Sequence, residues 1–174
     1  MLGLGGSLTA GGLGRIIGGT YNSDFTVGLD GWEAYSVQGT LTLLANQTID
    51  STGGWLKGTY DTNQTNTSGV QLTPPFDIVS GMDLSISYKV YIPNLGGSEW
   101  LNIGGTGAAT DPDLRVSVSG GYKHTSLSYN TTTSITHTDT TNSDNNFIKF
   151  NFAVIDKPQA GAVFYIKDIT YTVS

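Results

Sequence analysis

Five apolar side chains in strict alternation constrain this chain more than any other stretch. Leu84, Ile86, Tyr88, Val90 and Ile92 are separated by Ser85, Ser87, Lys89 and Tyr91. A period of two puts all five on one face of an extended strand, and none of the pattern fits a period of 3.6. Residues 82–92 are therefore predicted to form a long half-buried strand. Ile148, Phe150, Phe152 and Val154 make a second stripe of the same kind.

Shorter alternations fill the rest of the chain. Leu41 and Leu43 alternate with Thr40 and Thr42 after the Gln38-Gly39 turn, and residues 33–37 form the strand before it. Residues 55–60 and 70–72 are further strands, with a polar loop over 61–69 and a crossover at Pro74-Pro75-Phe76. Residues 99–103 read as a strand and 104–113 as a glycine-rich loop. Leu114, Val116 and Val118 then alternate with Arg115 and Ser117. Residues 122–129 and 134–137 read as a threonine-rich hairpin, and 138–146 as an exposed loop tip. No helix of useful length is readable. The pattern predicts an all-β chain of roughly eight to eleven strands.

The last strand is informative through its defect. Phe164 and Ile166 share one phase, while Ile169, Tyr171 and Val173 share the other. A strand facing one core needs an extra residue to do this, so a β-bulge is expected near Lys167-Asp168. All four of Phe164, Ile166, Ile169 and Tyr171 should then be buried. Trp32, placed after the Leu29-Asp30-Gly31 turn, is expected in the core, and residues 23–26 before that turn read as the opening strand.

The first nineteen residues differ in kind. They hold eight glycines and no periodicity. Ordering glycine costs more backbone entropy than ordering any other residue, so apolar contact by itself does not fold such an arm onto its own domain. Leu2, Leu4, Leu8, Leu13, Ile16 and Ile17 are its contact residues, and the reading is an assembly arm over 1–19 followed by one domain over 20–174. At 174 residues a single core is expected.

Composition excludes several classes. The net charge is −6 and no basic stripe exists, so nucleic acid is not an expected partner. Cysteine is absent, which rules out a disulfide scaffold. No apolar run is long enough to span a membrane as a helix, so no membrane is expected as a partner either. The arm's apolar residues are too interrupted for a signal peptide. Sequons at Asn46, Asn63, Asn66 and Asn130 read as by-products of loops rich in Asn and Thr.

Catalytic signatures are weak. His124 and His137 lie in threonine-rich strands and read as surface residues. Glycoside hydrolysis needs two carboxylates flanking one bond. Glu33 and Glu99 are the only glutamates, and nothing in the sequence pairs them. Zinc-ligand spacing is absent. The chain is read as a non-enzyme.

Three segments carry a resemblance. Asn22, Asp24-Phe25, Gly28-Leu29 and Gly31-Trp32 resemble the opening of the jelly-roll carbohydrate-binding modules attached to xylanases and glucanases. Pro75-Phe76 with Ser80-Gly81, and Ile166-Lys167-Asp168-Ile169, resemble their crossover and closing strand. The resemblance implies an antiparallel jelly-roll β-sandwich that binds sugars on exposed aromatics. Trp55, Trp100, Tyr122 and Tyr129 are the candidates, with Tyr60 and Tyr91 behind them. Trp55 and Trp100 equally suit a core or a subunit contact. The resemblance also implies a structural calcium where the first and last strands meet, at Asp24 and Asp168. Here Lys167 stands where those modules usually carry a second acidic residue.

The arm resembles the start of small virion proteins of tailed phages, through Met1-Leu2-Gly3-Leu4-Gly5-Gly6-Ser7-Leu8. That implies a non-enzymatic virion structural protein, such as a capsid decoration, fibre or tail component. It would assemble in the host cytoplasm onto other virion proteins and copies of itself, and display the jelly roll toward host-surface glycans. The alternative reading is a free-standing carbohydrate-binding module or lectin.

Overall fold

The computed structural model describes residues 16–36, 40–63, 68–95, 113–118, 121–141, 148–152 and 158–174. Among these residues the chain forms eleven strands and no helix. They are β1 (Gly19–Ser23), β2 (Glu33–Ser36), β3 (Leu41–Ile49), β4 (Thr52–Tyr60), β5 (Ser68–Leu72) and β6 (Asp83–Tyr91). The rest are β7 (Asp113–Val118), β8 (Gly121–Ser126), β9 (Thr133–Thr140), β10 (Ile148–Phe152) and β11 (Val163–Val173). Two sheets result. One runs β3-β4-β11-β6-β9, with β1 also paired to β11, and the other runs β2-β5-β10-β7-β8. Every strand pair is antiparallel. The architecture is an antiparallel jelly-roll β-sandwich, as the resemblance implies.

The core lies between the sheets. Leu84, Ile86, Tyr88 and Val90 of β6 face Phe150, Val70, Leu114 and Val116 of the other sheet within one buried cluster. Trp32 is 2% exposed, packs 5.3 Å from Phe150 between ring centroids, and donates Nε1–H to Ser23 Oγ at 2.8 Å. A buried indole N–H with a partner avoids the desolvation penalty of an unpaired donor. Tyr60 donates its hydroxyl to the Ser68 carbonyl at 2.9 Å, and burial pushes that phenol well above its ordinary range. Phe164 lies against Gly58, where a Cβ would fall 2.2 Å from its ring.

β11 carries the expected bulge. Its register against β6 shifts between Lys167 and Thr170, and Asp168 adopts φ 51°. Phe164, Ile166, Ile169 and Tyr171 are all fully buried. The bulge also has a topological reason. Residues 163–166 of β11 pair with β4, whereas 169–173 pair with β1. The extra residue resets the strand's phase where its neighbour changes.

Five sequence expectations differ from the structure. The opening strand is β1, ending at Ser23, and not 23–26: Asp30 Oδ2 accepts the N–H groups of Asp24 and Phe25 at 3.1 and 2.9 Å, and Phe25 has φ 53°. These side-chain bonds turn the chain away from a ladder. Residues 122–129 and 134–137 are not a hairpin. β8 and β9 lie at the edges of different sheets, and 127–132 cross between them. The polar loop is shorter than 61–69, because β5 begins at Ser68, and the loop tip at 138–146 begins later, because β9 runs to Thr140. Residues 16–19 of the arm run along the sandwich. Gly19 opens β1, Gly18 N–H donates to the Asp77 carbonyl at 2.9 Å, and Asp77 N–H donates to the Ile16 carbonyl at 2.8 Å. Leu2, Leu4, Leu8 and Leu13, with the strand expected at 99–103, lie outside the described residues.

Candidate functional site

Pairing in the five-stranded sheet aligns its outward residues into rows. Val70 and Leu72 are buried, whereas Glu33 is exposed and Tyr35 and Gln71 are half-buried on the other face. One row reads Glu33, Gln71, Lys149, Ser117 and Tyr122, one residue from each strand. The next reads Tyr35, Gly69, Asn151, Arg115 and His124. Gln71 donates its side-chain N–H to Glu33 Oε1 at 2.6 Å, and Tyr35 is half-buried.

The candidate aromatics fall in different places. Tyr122 belongs to the first row. Tyr129 is half-buried against the core in the crossover after β8, and Trp100 lies outside the described residues. Tyr60 is fully buried, and Tyr91 packs edge-on to Tyr165 on the other sheet, 6.0 Å between centroids. Trp55 is a correction. It has the outward phase on β4, opposite to buried Leu56, yet it is only 2% exposed. Its Nε1–H donates to Thr52 Oγ1 at 3.1 Å, and the Lys167 ammonium sits over its ring, 5.6 Å from the centroid. A covered ring offers no face for a sugar to stack on.

Sequence reasoning missed Tyr35, Gln71, Lys149 and Asn151. The signal for Lys149 and Asn151 was their antiphase to the stripe at Ile148, Phe150 and Phe152. For Tyr35 and Gln71 the strands are too short for phase to speak without knowing their neighbours.

The carboxylates expected to hold calcium are engaged within the protein. Asp24 Oδ1 accepts the backbone N–H of Thr26 at 3.0 Å and its hydroxyl at 2.8 Å. Asp168 Oδ2 is 2.8 Å from Lys89 Nζ, and Oδ1 is 3.8 Å from Lys167 Nζ. Lys167 Nζ also donates to the Gly53 carbonyl at 2.7 Å. This set of groups does not fit a divalent cation. A double charge about 4 Å from an ammonium is repelled by roughly 8 kcal/mol at an effective dielectric of about 20. Among the described residues no group of three or more His, Cys, Asp or Glu side chains converges.

A hollow of about 480 Å³ opens on the six-stranded sheet, lined by Asp83, Ser85, Thr138, Asp139, Thr140 and Thr172 among others. It holds two carboxylates and no aromatic ring, so it lacks a stacking face. Of the glutamate pair weighed for hydrolysis, Glu33 accepts from Gln71 and Glu99 lies outside the described residues.

Comparisons with known proteins bear on the fold. No protein-family model matches the chain, and no curated protein sequence does. Solved structures do. The CBM22-1 xylan-binding domain of Xyn10C from Paenibacillus barcinonensis superposes with a TM-score of 0.51 at 13% identity, covering 91% of this chain and 96% of that one. The CBM22-1–GH10 modules of Clostridium thermocellum xylanase 10B, complexed with xylohexaose, give a TM-score of 0.54 at 18% identity. That match covers 92% of this chain but 28% of the xylanase chain. The C-terminal family 22 carbohydrate-binding module of the same xylanase gives 0.53 at 14% identity, covering 88% of this chain and 91% of that one. This chain therefore has the jelly-roll fold of the carbohydrate-binding modules of xylanases.

Proposed function

We propose that this chain is a non-catalytic carbohydrate-binding module whose ligand lies across the outer face of the five-stranded sheet. The observation that carries this reading is that Glu33, Gln71 and Tyr35 head two register rows running through all five strands. Sugars are held by stacking on aromatic rings and by hydrogen bonds from amides and charged groups to their hydroxyls. Tyr35 on β2 and Tyr122 on β8 stand at opposite edges of the sheet, four strand spacings or about 19 Å apart. An oligosaccharide chain spans that distance and a single sugar does not. The solved modules of this fold include xylan-binding domains, which makes xylan and related β-linked chains the first ligands to try.

A screen of plant, bacterial and algal polysaccharides tests the reading. A polysaccharide ligand is expected, with Tyr35→Ala and Gln71→Ala each weakening it at least about tenfold while the melting temperature holds. No ligand in the screen would remove this function.

A second reading keeps the arm as an anchor, in the manner of a phage virion protein. The favouring observation is that Ile16 and Ile17 are 77% and 62% exposed although their main chain is bonded to the crossover at Asp77. An apolar pair shown at the root of the arm suits burial against an assembly partner. Deleting residues 1–15 should then leave a folded domain that no longer sediments with particles. Co-sedimentation at full occupancy would set the anchor aside.

A further inference from the structure

Three strands meet at one point on the six-stranded sheet. β1 ends there at Ser23 opposite Ile169, β4 begins, and β11 bulges at Lys167 and Asp168 between its two partners. Such a junction gathers oxygen atoms that no ladder satisfies. The Gly53 carbonyl is one, and the Asp168 carboxylate supplies more. Gly54 is locked against the residue that follows β1, since a Cβ there would fall 2.6 Å from the Asp24 carbonyl oxygen.

We propose that the Lys167 ammonium is the built-in cation of this junction, doing from within the chain what a bound metal ion would otherwise do. Its Nζ bonds the Gly53 carbonyl at 2.7 Å, lies 3.8 Å from Asp168 Oδ1 and covers the Trp55 ring. One side chain thereby ties the start of β4 to the bulge of β11. The Lys167 side chain keeps only 16% of its surface exposed, so its charge is far less screened than that of a surface lysine. Lys89 closes the other side of Asp168 at 2.8 Å and fixes the carboxylate. Asp24 responds to the same charge. Its carboxyl is held below the ordinary range first by the Thr26 N–H, then by the Thr26 hydroxyl, with Lys167 adding in the same direction.

A tethered ammonium cannot dissociate, so the fold is independent of calcium supply.

Thermal melts in EGTA and in millimolar calcium test this on the full chain. The unaltered protein should melt at the same temperature in both. Lys167→Met keeps the methylenes over Trp55 but removes the charge, and should lower the melting temperature by about 2–4 °C. Lys167→Arg should restore most of that loss. A melting temperature of the unaltered protein that falls in EGTA would overturn the proposal, because the junction would then hold a metal. So would a Lys167→Met protein that melts like the original, because the ammonium would then fasten nothing.

Discussion

The outer faces of the two sheets use polar and aromatic residues in opposite ways. On the six-stranded sheet they engage one another. Lys89 pairs with Asp168, Lys167 bonds Gly53 and covers Trp55, and Tyr91 packs on Tyr165. On the five-stranded sheet the outward positions form two rows across five strands, with Gln71 and Glu33 bonded across β5 and β2. The first arrangement fastens a place where strands change partners. The second lies on strands that are already held by their ladders. An outward aromatic of the six-stranded sheet therefore stabilises the fold, whereas under the proposed function Tyr35 on the five-stranded sheet serves a ligand.

Mutation separates the two roles. The largest effect is expected at Trp55, where truncation to Ala uncovers the junction and should cost about 3 kcal/mol in chemical denaturation. A cost below about 1 kcal/mol would place Trp55 among ordinary surface residues and erase the contrast. Gly54→Ala should follow at roughly 2 kcal/mol, because Gly54 has φ 75° and its missing Cβ makes way for the Asp24 carbonyl. Tyr35→Ala on the five-stranded sheet should cost less than about 1 kcal/mol. An equal loss at Tyr35 and Trp55 would make both faces structural.

The smallest effect is an acid one. The Asp24 carboxyl is depressed from its ordinary value of 3.8, chiefly by the Thr26 N–H. A depressed carboxyl adds stability above its unfolded value and loses it as pH falls through the lower folded value. Residues 24–31 should thus loosen only below about pH 3.8. Hydrogen exchange or loop fluorescence should show this step, and Asp24→Asn should remove it. Loosening near neutral pH would assign the loop's order to another group.

The sandwich was legible where one strand carried its own message. The alternation from Leu84 to Ile92 and the phase change between Ile166 and Ile169 each state a face without reference to a neighbour. Both the long strand and the bulge stand where those patterns put them. The partners of β8 and β9 were not legible, since short threonine-rich strands do not encode which sheet they join. Trp55 was left open between a sugar platform and a buried contact, because its cover is Lys167, distant in sequence. The candidate face was hidden for the same reason. Glu33, Gln71, Lys149, Ser117 and Tyr122 become a row only once the register of five strands is known.

Nitrogen-15 NMR of the labelled protein, titrated with xylohexaose or with the glycan the screen returns, reads both faces at once. Amide shifts should concentrate on Glu33, Tyr35, Gln71, Lys149 and Asn151, while Lys57, Tyr91, Tyr165 and Lys167 stay in place. Shifts confined to the six-stranded face, or no shifts up to millimolar ligand, would contradict a binding face on the five-stranded sheet.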